Sequence, residues 1–314
     1  MSDKRATREA LGETLIELAA EGRDDIVVLD ADLAKATTTV KFAAKYPERF
    51  FDVGIAEQNL IGTAAGLAAG GKTPFASTFA VFATGRAYDQ IRNSVCYANL
   101  PVKIAATHAG VTVGPDGGSH QMLEDIALMR VLPNMAVLVP ADYRSAKAAI
   151  RAAADSPGPV YIRLGRPAVP VLYDEDFVFE IGKAHVLREG SDVTLLACGH
   201  LVEQALAAAD ALAAEGVSAT VIDVPSIKPL DEETILAWAC ETKAIVTFEE
   251  HSVIGGLGSA VAELLGETVP VVMERVGVKD VFGTSGEAGE LLEHFGLTAP
   301  HIAAAAKRVI ARKE

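Results

Sequence analysis

The sequence has little cysteine, and its cysteines are not paired. Cys96, Cys198 and Cys240 lie far apart in a chain of 314 residues, and no CxxC motif occurs. This spacing argues against a disulfide framework or a zinc ribbon and favours buried thiols in a reducing, cytoplasmic environment. The segment MSDKRATREALGETL at the start is charged throughout, so we predict no signal peptide. An uninterrupted run of about 18 apolar residues is also missing, so no membrane span is expected.

Positive charge is scarce as well. The chain has 28 Lys and Arg residues against 42 Asp and Glu residues, which gives a formal net charge of -14. Nucleic-acid binding depends on clustered cations that neutralise phosphates, so this balance argues against a nucleic-acid partner. It does not exclude local basic sites for small phosphates.

An alternation of predicted strands and helices indicates an α/β fold. In the first half, the pattern predicts helix 6–22, strand 25–33, a short helix at 41–50, strand 50–54 and helix 56–69, then strand-to-loop passages at 72–79, 102–110 and 135–141. In the second half, it predicts strand 192–199, helix 200–216, strand 217–224, helix 231–242, strand 244–250, helix 255–267 and strand 271–277. Such alternation is typical of mainly parallel sheets that are covered by helices on both faces.

The length of the chain suggests two domains. The alternation breaks at 166–182, RPAVPVLYDEDFVFEIG, where two prolines and a cluster of acidic residues indicate a linker or an edge excursion. We therefore predict a first domain at 1–168, a linker at 169–185 and a smaller second domain at 186–314. Each domain is expected to be a mainly parallel sheet flanked by helices.

A glycine-rich loop follows the strand predicted at 102–110. THAGVTVGPDGGSHQMLED (107–125) contains His108, Asp116 and His120 among four glycines. Loops after strand ends are where α/β proteins bind ligands, so one interpretation is an active-site loop. A Pro-Asp-Gly turn with two solvated histidines is the alternative. The two histidines are too far apart for a helical zinc pair, which disfavours a metal site.

The segment FFDVGIAEQ (50–58) places a lone carboxylate, Glu57, at the start of a helix rich in Ala and Gly. Acidic residues are favourable in the first turn of any helix, because the amide groups there are partly positive. The small residues, however, predict that the helix is buried against a neighbour. Burial raises a carboxyl pKa while a helix start lowers it, so the residues alone leave the role of Glu57 open.

Six segments together resemble the transketolase family, in the order of its pyrimidine-binding domain and its C-terminal domain. They are VGIAEQNLIGTAAGLAAGG, STFAVF, ATHAGVTVGPDGGSHQ, LPNMAVLVPAD, DVPSIKPLD and EEHSVIGGLG. Transketolases also have an N-terminal domain that binds magnesium and the diphosphate of thiamine diphosphate through GDG and a later Asn. No GDG occurs in this sequence. The resemblance therefore implies the C-terminal subunit of a split transketolase.

The resemblance implies a cofactor pocket for thiamine diphosphate. In thiamine enzymes a glutamate of this domain hydrogen-bonds a nitrogen of the aminopyrimidine ring, and Glu57 matches that glutamate. The cofactor then carries a two-carbon ketol unit from a ketose, expected to be phosphorylated, to an aldose. Phe79 and Phe82 match the aromatic residues of the pyrimidine pocket, with core packing as their alternative. A third aromatic residue of the family falls near Gly85 here.

The same match implies catalytic and substrate-binding roles in the glycine-rich loop. His108, Asp116 and His120 match the polar residues around the sugar hydroxyls and the reacting carbons. We therefore expect His108 and His120 to be catalytic together with Glu57.

Two arginines match those that hold the sugar phosphate in the family, Arg8 and Arg166. A planar guanidinium suits this role because it binds oxyanions through paired hydrogen bonds. Arg163 competes with Arg166 for the second position. Thr37 is a candidate for the phosphate-binding serine of the family, which has no clear counterpart here.

The resemblance also implies partners. We expect an N-terminal subunit that carries the GDG segment and binds Mg²⁺ with the diphosphate, and an assembly with two copies of each subunit. The Ala- and Gly-rich residues 56–71 are the candidate for close packing at its centre. Sugar phosphates are the expected substrates.

Three alternatives remain. Deoxyxylulose-phosphate synthase shares the fold and resembles GRAYDQ (85–90), but it has an acidic residue at the position of His108. The beta subunit of a 2-oxo acid dehydrogenase also lacks GDG, and it is not expected to contain both loop histidines. A non-catalytic partner protein would be expected to lack Glu57 or the histidines. These comparisons favour a transketolase.

Overall fold

A computed structural model describes residues 4–313 of the protein. The strands are β1 (Lys4–Ala6), β2 (Ile26–Asp30), β3 (Phe50–Asp52), β4 (Thr73–Phe79), β5 (Lys103–Thr107), β6 (Ala136–Leu138), β7 (Val160–Arg163), β8 (Ala168–Pro170), β9 (His185–Arg188), β10 (Val193–Ala197), β11 (Ala219–Asp223), β12 (Ser226–Lys228), β13 (Ala244–Ser252) and β14 (Val272–Val278). The α-helices are α1 (Glu9–Ala20), α2 (Ala34–Thr37), α3 (Val40–Lys45), α4 (Glu57–Ala69), α5 (Tyr88–Gln90), α6 (Asp125–Arg130), α7 (Tyr143–Asp155), α8 (Val202–Ala214), α9 (Glu232–Thr242), α10 (Leu257–Glu267), α11 (Ala288–His294) and α12 (Ala299–Lys313).

Two large sheets confirm the predicted α/β architecture. The first has the strand order β12-β6-β7-β5-β4-β2-β3, and its neighbours are parallel except for β12 with β6. The second has the order β14-β13-β10-β11-β9, and only β9 runs antiparallel to its neighbour. A small antiparallel sheet pairs β1 with β8.

The residues of β2 show why the first sheet is covered on both faces. Ile26 and Val28 belong to the hydrophobic cluster that contains residues of α1 and α7. Val27 and Leu29 point the other way and belong to the cluster that contains residues of α4. Since successive side chains of a strand face opposite sides, a strand buried on both faces reads as a continuous apolar run.

The two halves of the chain share structure more closely than a simple linker would suggest. Strand β12, from the predicted second domain, adds to the edge of the first sheet. Strand β8, at the edge of the predicted linker, pairs with β1 near the start of the chain. Leu196 and Ile245 of the second sheet lie in the same hydrophobic cluster as Leu60 of α4. The domain boundary at 169–185 therefore stays a prediction, while the core is continuous across it.

Several helices were not assigned from the sequence, among them α7, α11 and α12. Alanine supplies most of the buried face of α7, while Arg144, Lys147 and Arg151 recur at helical spacing on its other side, a pattern that the sequence analysis did not use. A capping box marks the start of α7, because Asp142 Oδ1 accepts a hydrogen bond of 2.7 Å from the Ser145 amide. Within residues 4–313, no helix has the length and apolar character needed to cross a membrane.

One short segment has the residue spacing of a phosphate-binding P-loop, GLAAGGKT at 66–73. In the fold it forms the end of α4, a turn at Gly71 with φ of 87°, and the start of β4. A P-loop instead runs from a strand into the N-terminus of a helix, whose amide groups bind the phosphate. This segment runs in the reverse order, so it is not a P-loop.

Candidate active site

The predicted site residues meet at the carboxyl edge of the first sheet. Phe79 is the last residue of β4, His108 follows β5 directly, and Arg166 follows β7 after a two-residue connection. Strands β4, β5 and β7 are parallel neighbours, so their carboxyl ends lie side by side. This edge is where open α/β sheets bind their ligands.

Glu57 is the first residue of α4, and only 2 % of it is exposed. The Arg86 Nη1 atom lies 2.8 Å from both of its carboxylate oxygens. The guanidinium carbon of Arg86 lies 4.5 Å from the centre of the Phe82 ring, in a cation–π arrangement. The sequence analysis missed Arg86, although it lies within the quoted GRAYDQ segment. Glu57 is thus a buried carboxylate that is paired with the partly exposed Arg86.

Aromatic rings form a stack beside this carboxylate. The rings of Phe79 and Phe82 are nearly parallel, with centres 5.9 Å apart and an angle of 10° between them. Phe79 also stacks on the His108 imidazole at 3.9 Å. His120 meets Phe82 edge-on at 5.5 Å. Four residues predicted from the sequence are therefore brought together in the fold.

A π-helical segment, Val81–Arg86, places Phe82 and Arg86 on the same side as Glu57. Such segments are frequent at functional sites. Gly85 lies in this segment and is exposed, and a Cβ placed on it would meet no other part of the described chain within 4 Å beyond its own neighbours and helix backbone. The family's third aromatic contact therefore has no counterpart at Gly85.

An aminopyrimidine ring needs a hydrogen-bond acceptor for its ring nitrogen and apolar surfaces for its faces. The buried Glu57 carboxylate supplies the acceptor, and the rings of Phe79 and Phe82 supply flat apolar surfaces. The residues at this edge therefore fit the pyrimidine end of thiamine diphosphate. Among residues 4–313, no group of three or more His, Cys, Asp or Glu side chains could hold a metal ion.

The His108 imidazole is buried and electrically neutral. Its Nε2 atom lies 3.2 Å from Arg8 Nη1, and its Nδ1 atom lies 2.8 Å from Thr107 Oγ1. A guanidinium can only donate, so Nε2 accepts and Nδ1 carries the proton that is donated to Thr107. Burial, together with the charges of Arg8 and Arg166, lowers the pKa of His108 to about 3. The residue has a left-handed backbone with φ of 57°, which turns the loop away from β5.

Arg8 and Arg166 lie on the wall of one cavity, whose volume is about 330 Å³. The other lining residues come from the glycine-rich loop, from Pro167 and from the start of α11: Thr112, Val113, Gly114, Pro115, Glu287 and Ala288. Arg8 Nη1 donates a 2.9 Å hydrogen bond to Ala36 O, while Arg166 donates to Val113 O.

The two arginines are close enough for their charges to repel. Burial and the charge of Arg166 both lower the pKa of Arg8. Asp116 is exposed, and its carboxylate lies 3.6 Å from Arg166. An anion between the arginines would relieve their repulsion.

The structure separates the two competing arginines. Arg163 is buried, and it donates hydrogen bonds of 2.7 Å to Asp125 Oδ2 and 2.9 Å to Glu250 O. It therefore belongs to an internal network, whereas Arg166 lies on the cavity. Thr37 is also buried, and its hydroxyl donates to Asp30 Oδ2 at 2.7 Å. The Thr37 hydroxyl is thus engaged by Asp30.

Comparison with known proteins identifies the family. The family model described as "Transketolase, pyrimidine binding domain" matches residues 3–171, and "Transketolase, C-terminal domain" matches residues 182–302. The SqwH subunit of the 6-deoxy-6-sulfo-D-fructose transketolase of Clostridium sp. strain MSTE9 is 48% identical over 98% of this chain and 95% of its own length. One subunit of the apulose-4-phosphate transketolase of Phocaeicola vulgatus is 40% identical over 93% of both chains.

A solved structure described as "Split gene transketolase, inactive beta4 tetramer" has the same fold. It superposes with a TM-score of 0.92 at 56% sequence identity, and the match covers 98% of this chain and 99% of that one. Both family domains occur in order, and these relatives span the same length as this chain. The chain therefore belongs to the transketolase family and corresponds to the C-terminal subunit of a split transketolase.

Proposed function

We propose that the chain supplies the pyrimidine side and the substrate-anion side of a transketolase active site that transfers a two-carbon ketol unit from a ketose to an aldose. The observation that carries this proposal is the clustering of Glu57, the aromatic stack and the Arg8–Arg166 cavity at one edge of the sheet. When bound, thiamine diphosphate supplies the nucleophilic carbon that carries the ketol unit.

Glu57 has the role of a hydrogen-bond partner for a nitrogen of the aminopyrimidine ring. A carboxylate offers about four acceptor positions, so Arg86 and a ring nitrogen can both bind it. The buried setting strengthens such a hydrogen bond, since little water competes for it. Phe79 and Phe82 bind the faces of the ring and exclude water from the reacting groups.

We assign substrate contacts to His108, which stacks on Phe79, and to His120, which meets the edge of Phe82. Because Nδ1 of His108 carries the proton, its single Nε2 lone pair accepts from Arg8, and a sugar hydroxyl can donate to that atom only by replacing the Arg8 contact. His120, less buried and in edge contact with Phe82, lies nearer to the mouth of the site. Asp116 lies in the exposed part of the loop, where its carboxylate can accept hydrogen bonds from the sugar hydroxyls.

Arg8 and Arg166 bind an anion at the far end of the ketose. The names of the two relatives include a sulfonated ketose and a phosphorylated one. Both groups are tetrahedral oxyanions, which two guanidinium groups can bind by paired hydrogen bonds. We therefore assign the substrate to ketoses with a terminal anion, and a phosphate is the first to test.

Mg²⁺ and the diphosphate are held by a second polypeptide. The sequence contains no GDG, and the acidic chain offers no overall positive charge to replace a cation. The relatives are named as subunits, and the solved tetramer is described as inactive. We propose an assembly with two copies of each subunit, in which the exposed Gly62 and Gly66 of α4 permit close packing.

The experiment is to purify the chain and measure thiamine diphosphate binding by calorimetry in the presence of Mg²⁺, with and without a GDG-containing transketolase subunit. Ketol transfer is measured in parallel with xylulose 5-phosphate and ribose 5-phosphate. We expect weak binding and no turnover for the chain alone, and turnover when the second subunit is added. Tight binding with full activity for the chain alone would contradict the need for a partner. No turnover by a stable two-subunit complex, with these and with sulfonated ketoses, would contradict the proposed reaction.

A further inference from the structure

The loop of residues 108–120 is held by the C-terminal half of the chain. The Thr112 amide donates a 2.6 Å hydrogen bond to Glu250 Oε1 at the end of β13. Just beyond the loop, Gln121 Nε2 donates to Thr284 O at 2.8 Å. These contacts join the loop to the C-terminal half of the chain, so the position of the loop depends on residues outside the pyrimidine-binding domain.

Glu250 is a buried carboxylate, and within residues 4–313 no Lys or Arg side chain is bound to its oxygens. It is 3 % exposed, and its second oxygen, Oε2, lies 3.0 Å from His200 Nε2. Burial alone would raise the pKa of Glu250, but the neighbouring His200 and Arg163 outweigh it and lower the pKa. The carboxylate is therefore ionised where it binds the loop amide, which makes the hydrogen bond strong and directional.

The backbone of the loop is shaped to receive this carboxylate. Gly110 has φ of 83°, and a Cβ placed on it would lie 2.2 Å from the Glu250 carboxyl carbon. Any side chain at position 110 would both strain the backbone and displace Glu250. Glycine is therefore required at position 110 for the carboxylate to reach Thr112.

His200 packs against Gly165, behind the segment that carries the cavity residue Arg166. A Cβ placed on Gly165 would lie 3.0 Å from His200 Nδ1, so the imidazole packs directly against the residue that precedes Arg166. The Gly165 amide donates a 2.7 Å hydrogen bond to Thr7 Oγ1, and the Arg8 amide donates to Gly165 O at 3.4 Å. His200 thus lies behind the two segments that carry the cavity arginines.

We propose that Glu250 and His200 form a positioning pair, through which the C-terminal domain fixes the spacing of Thr112, Arg166 and Arg8 around the terminal anion of the substrate. Neither residue of the pair lines the cavity, so both act through the backbone segments that they hold. The role assigned to the substrate anion rests on the proposed function, whereas the restraint on the loop does not.

The matched control is Glu249, the preceding residue on β13. It is equally buried, but its carboxylate accepts from the Leu257 and Gly258 amides at the start of α10. The variants are Glu250→Ala, Glu250→Gln and Glu249→Ala. Each removes or alters a buried carboxylate on the same strand, and only the first two affect the loop.

The first measurement is amide hydrogen exchange on the full chain. In Glu250→Ala we expect the Thr112 amide to exchange about tenfold faster than in the wild type or more, because a buried charge-assisted hydrogen bond is lost. Glu250→Gln keeps an oxygen acceptor and is expected to restore most of the protection. Glu249→Ala should instead expose the amides of 257 and 258. Unchanged exchange at Thr112 in Glu250→Ala, or an equal change there in Glu249→Ala, would overturn the proposal.

The second measurement is steady-state kinetics of the two-subunit complex with a phosphorylated ketose and with hydroxypyruvate, which has no phosphate. For Glu250→Ala we expect KM to rise about tenfold for the phosphorylated donor and to change by less than about twofold for hydroxypyruvate, with kcat nearly constant. Equal effects on both donors would refute the link to the anion. A wild-type complex that transfers no ketol unit would refute the proposed function, while hydrogen exchange would still decide whether Glu250 holds the loop.

Discussion

Because His108 is buried and neutral, we predict that the free energy of unfolding decreases as the pH falls. Its pKa falls from an ordinary value of 6.5 to about 3 in the folded protein. Below pH 6.5 the unfolded chain therefore binds a proton at this residue that the folded chain does not bind. The contribution of neutral His108 to the free energy of unfolding is complete above pH 6.5 and is lost as the pH falls towards 3. The slope approaches about 1.4 kcal/mol per pH unit, so acidification from pH 6.5 to 4.5 should remove about 2 kcal/mol.

The test compares the wild type with His108→Asn by urea unfolding, followed by circular dichroism, between pH 4.5 and 7.5. Asparagine does not titrate, and it tolerates the left-handed backbone at this position better than most residues. We expect the difference in unfolding free energy between the two proteins, wild type minus variant, to fall by about 2 kcal/mol between pH 6.5 and 4.5. Parallel pH profiles for the wild type and His108→Asn would refute the assignment of a buried, neutral imidazole.

The remaining predictions concern activity and folding. Glu57→Gln should fold and assemble but lose most turnover, because an amide cannot share a proton as a carboxylate does. A near-normal rate would show that Glu57 serves only as a favourable charge at the start of α4. His120→Ala should lower kcat and leave thiamine diphosphate affinity unchanged in calorimetry, and a loss of affinity would contradict its assignment to substrate. Arg166→Ala should raise KM for phosphorylated donors more than for hydroxypyruvate, and equal losses would remove its role in anion binding. Arg163→Ala should destabilise the fold by about 3–5 kcal/mol in denaturant unfolding, because it leaves the buried Asp125 unpaired; unchanged stability would show that the pair is dispensable.

Local sequence determined the main elements of the fold. The run DIVVLDADL (25–33) predicted a buried strand, and β2 (Ile26–Asp30) is buried along its whole length. The segment after Glu57 predicted a helix, and α4 begins at Glu57, whereas close packing of its small residues stays a prediction because Gly62 and Gly66 are exposed in the single chain. The family was identified from ordered motifs, and the relatives confirm the preference for a transketolase over a deoxyxylulose-phosphate synthase. These inferences succeed because hydrophobic period and turn residues act over short distances along the chain. The roles of the site residues are still predictions.

Other features were decided only by the tertiary structure. Arg163 and Arg166 are three residues apart and look interchangeable in the sequence, yet one lies in a buried network and the other on a cavity. Arg86 becomes the partner of Glu57 only because the π-helical segment turns it back towards α4. GLAAGGKT has the spacing of a P-loop, but it runs from a helix into a strand and therefore does not form the phosphate-binding turn.

The contact between Glu250 and Thr112 joins residues that are 138 positions apart. A buried carboxylate needs a hydrogen-bond donor, but that donor can come from any position in the sequence. Which donor it finds depends on how the two halves of the chain pack. The sequence by itself determined the strands, the helices and the family. The packing of those elements decided which charged groups are paired inside the protein and which lie on the cavity.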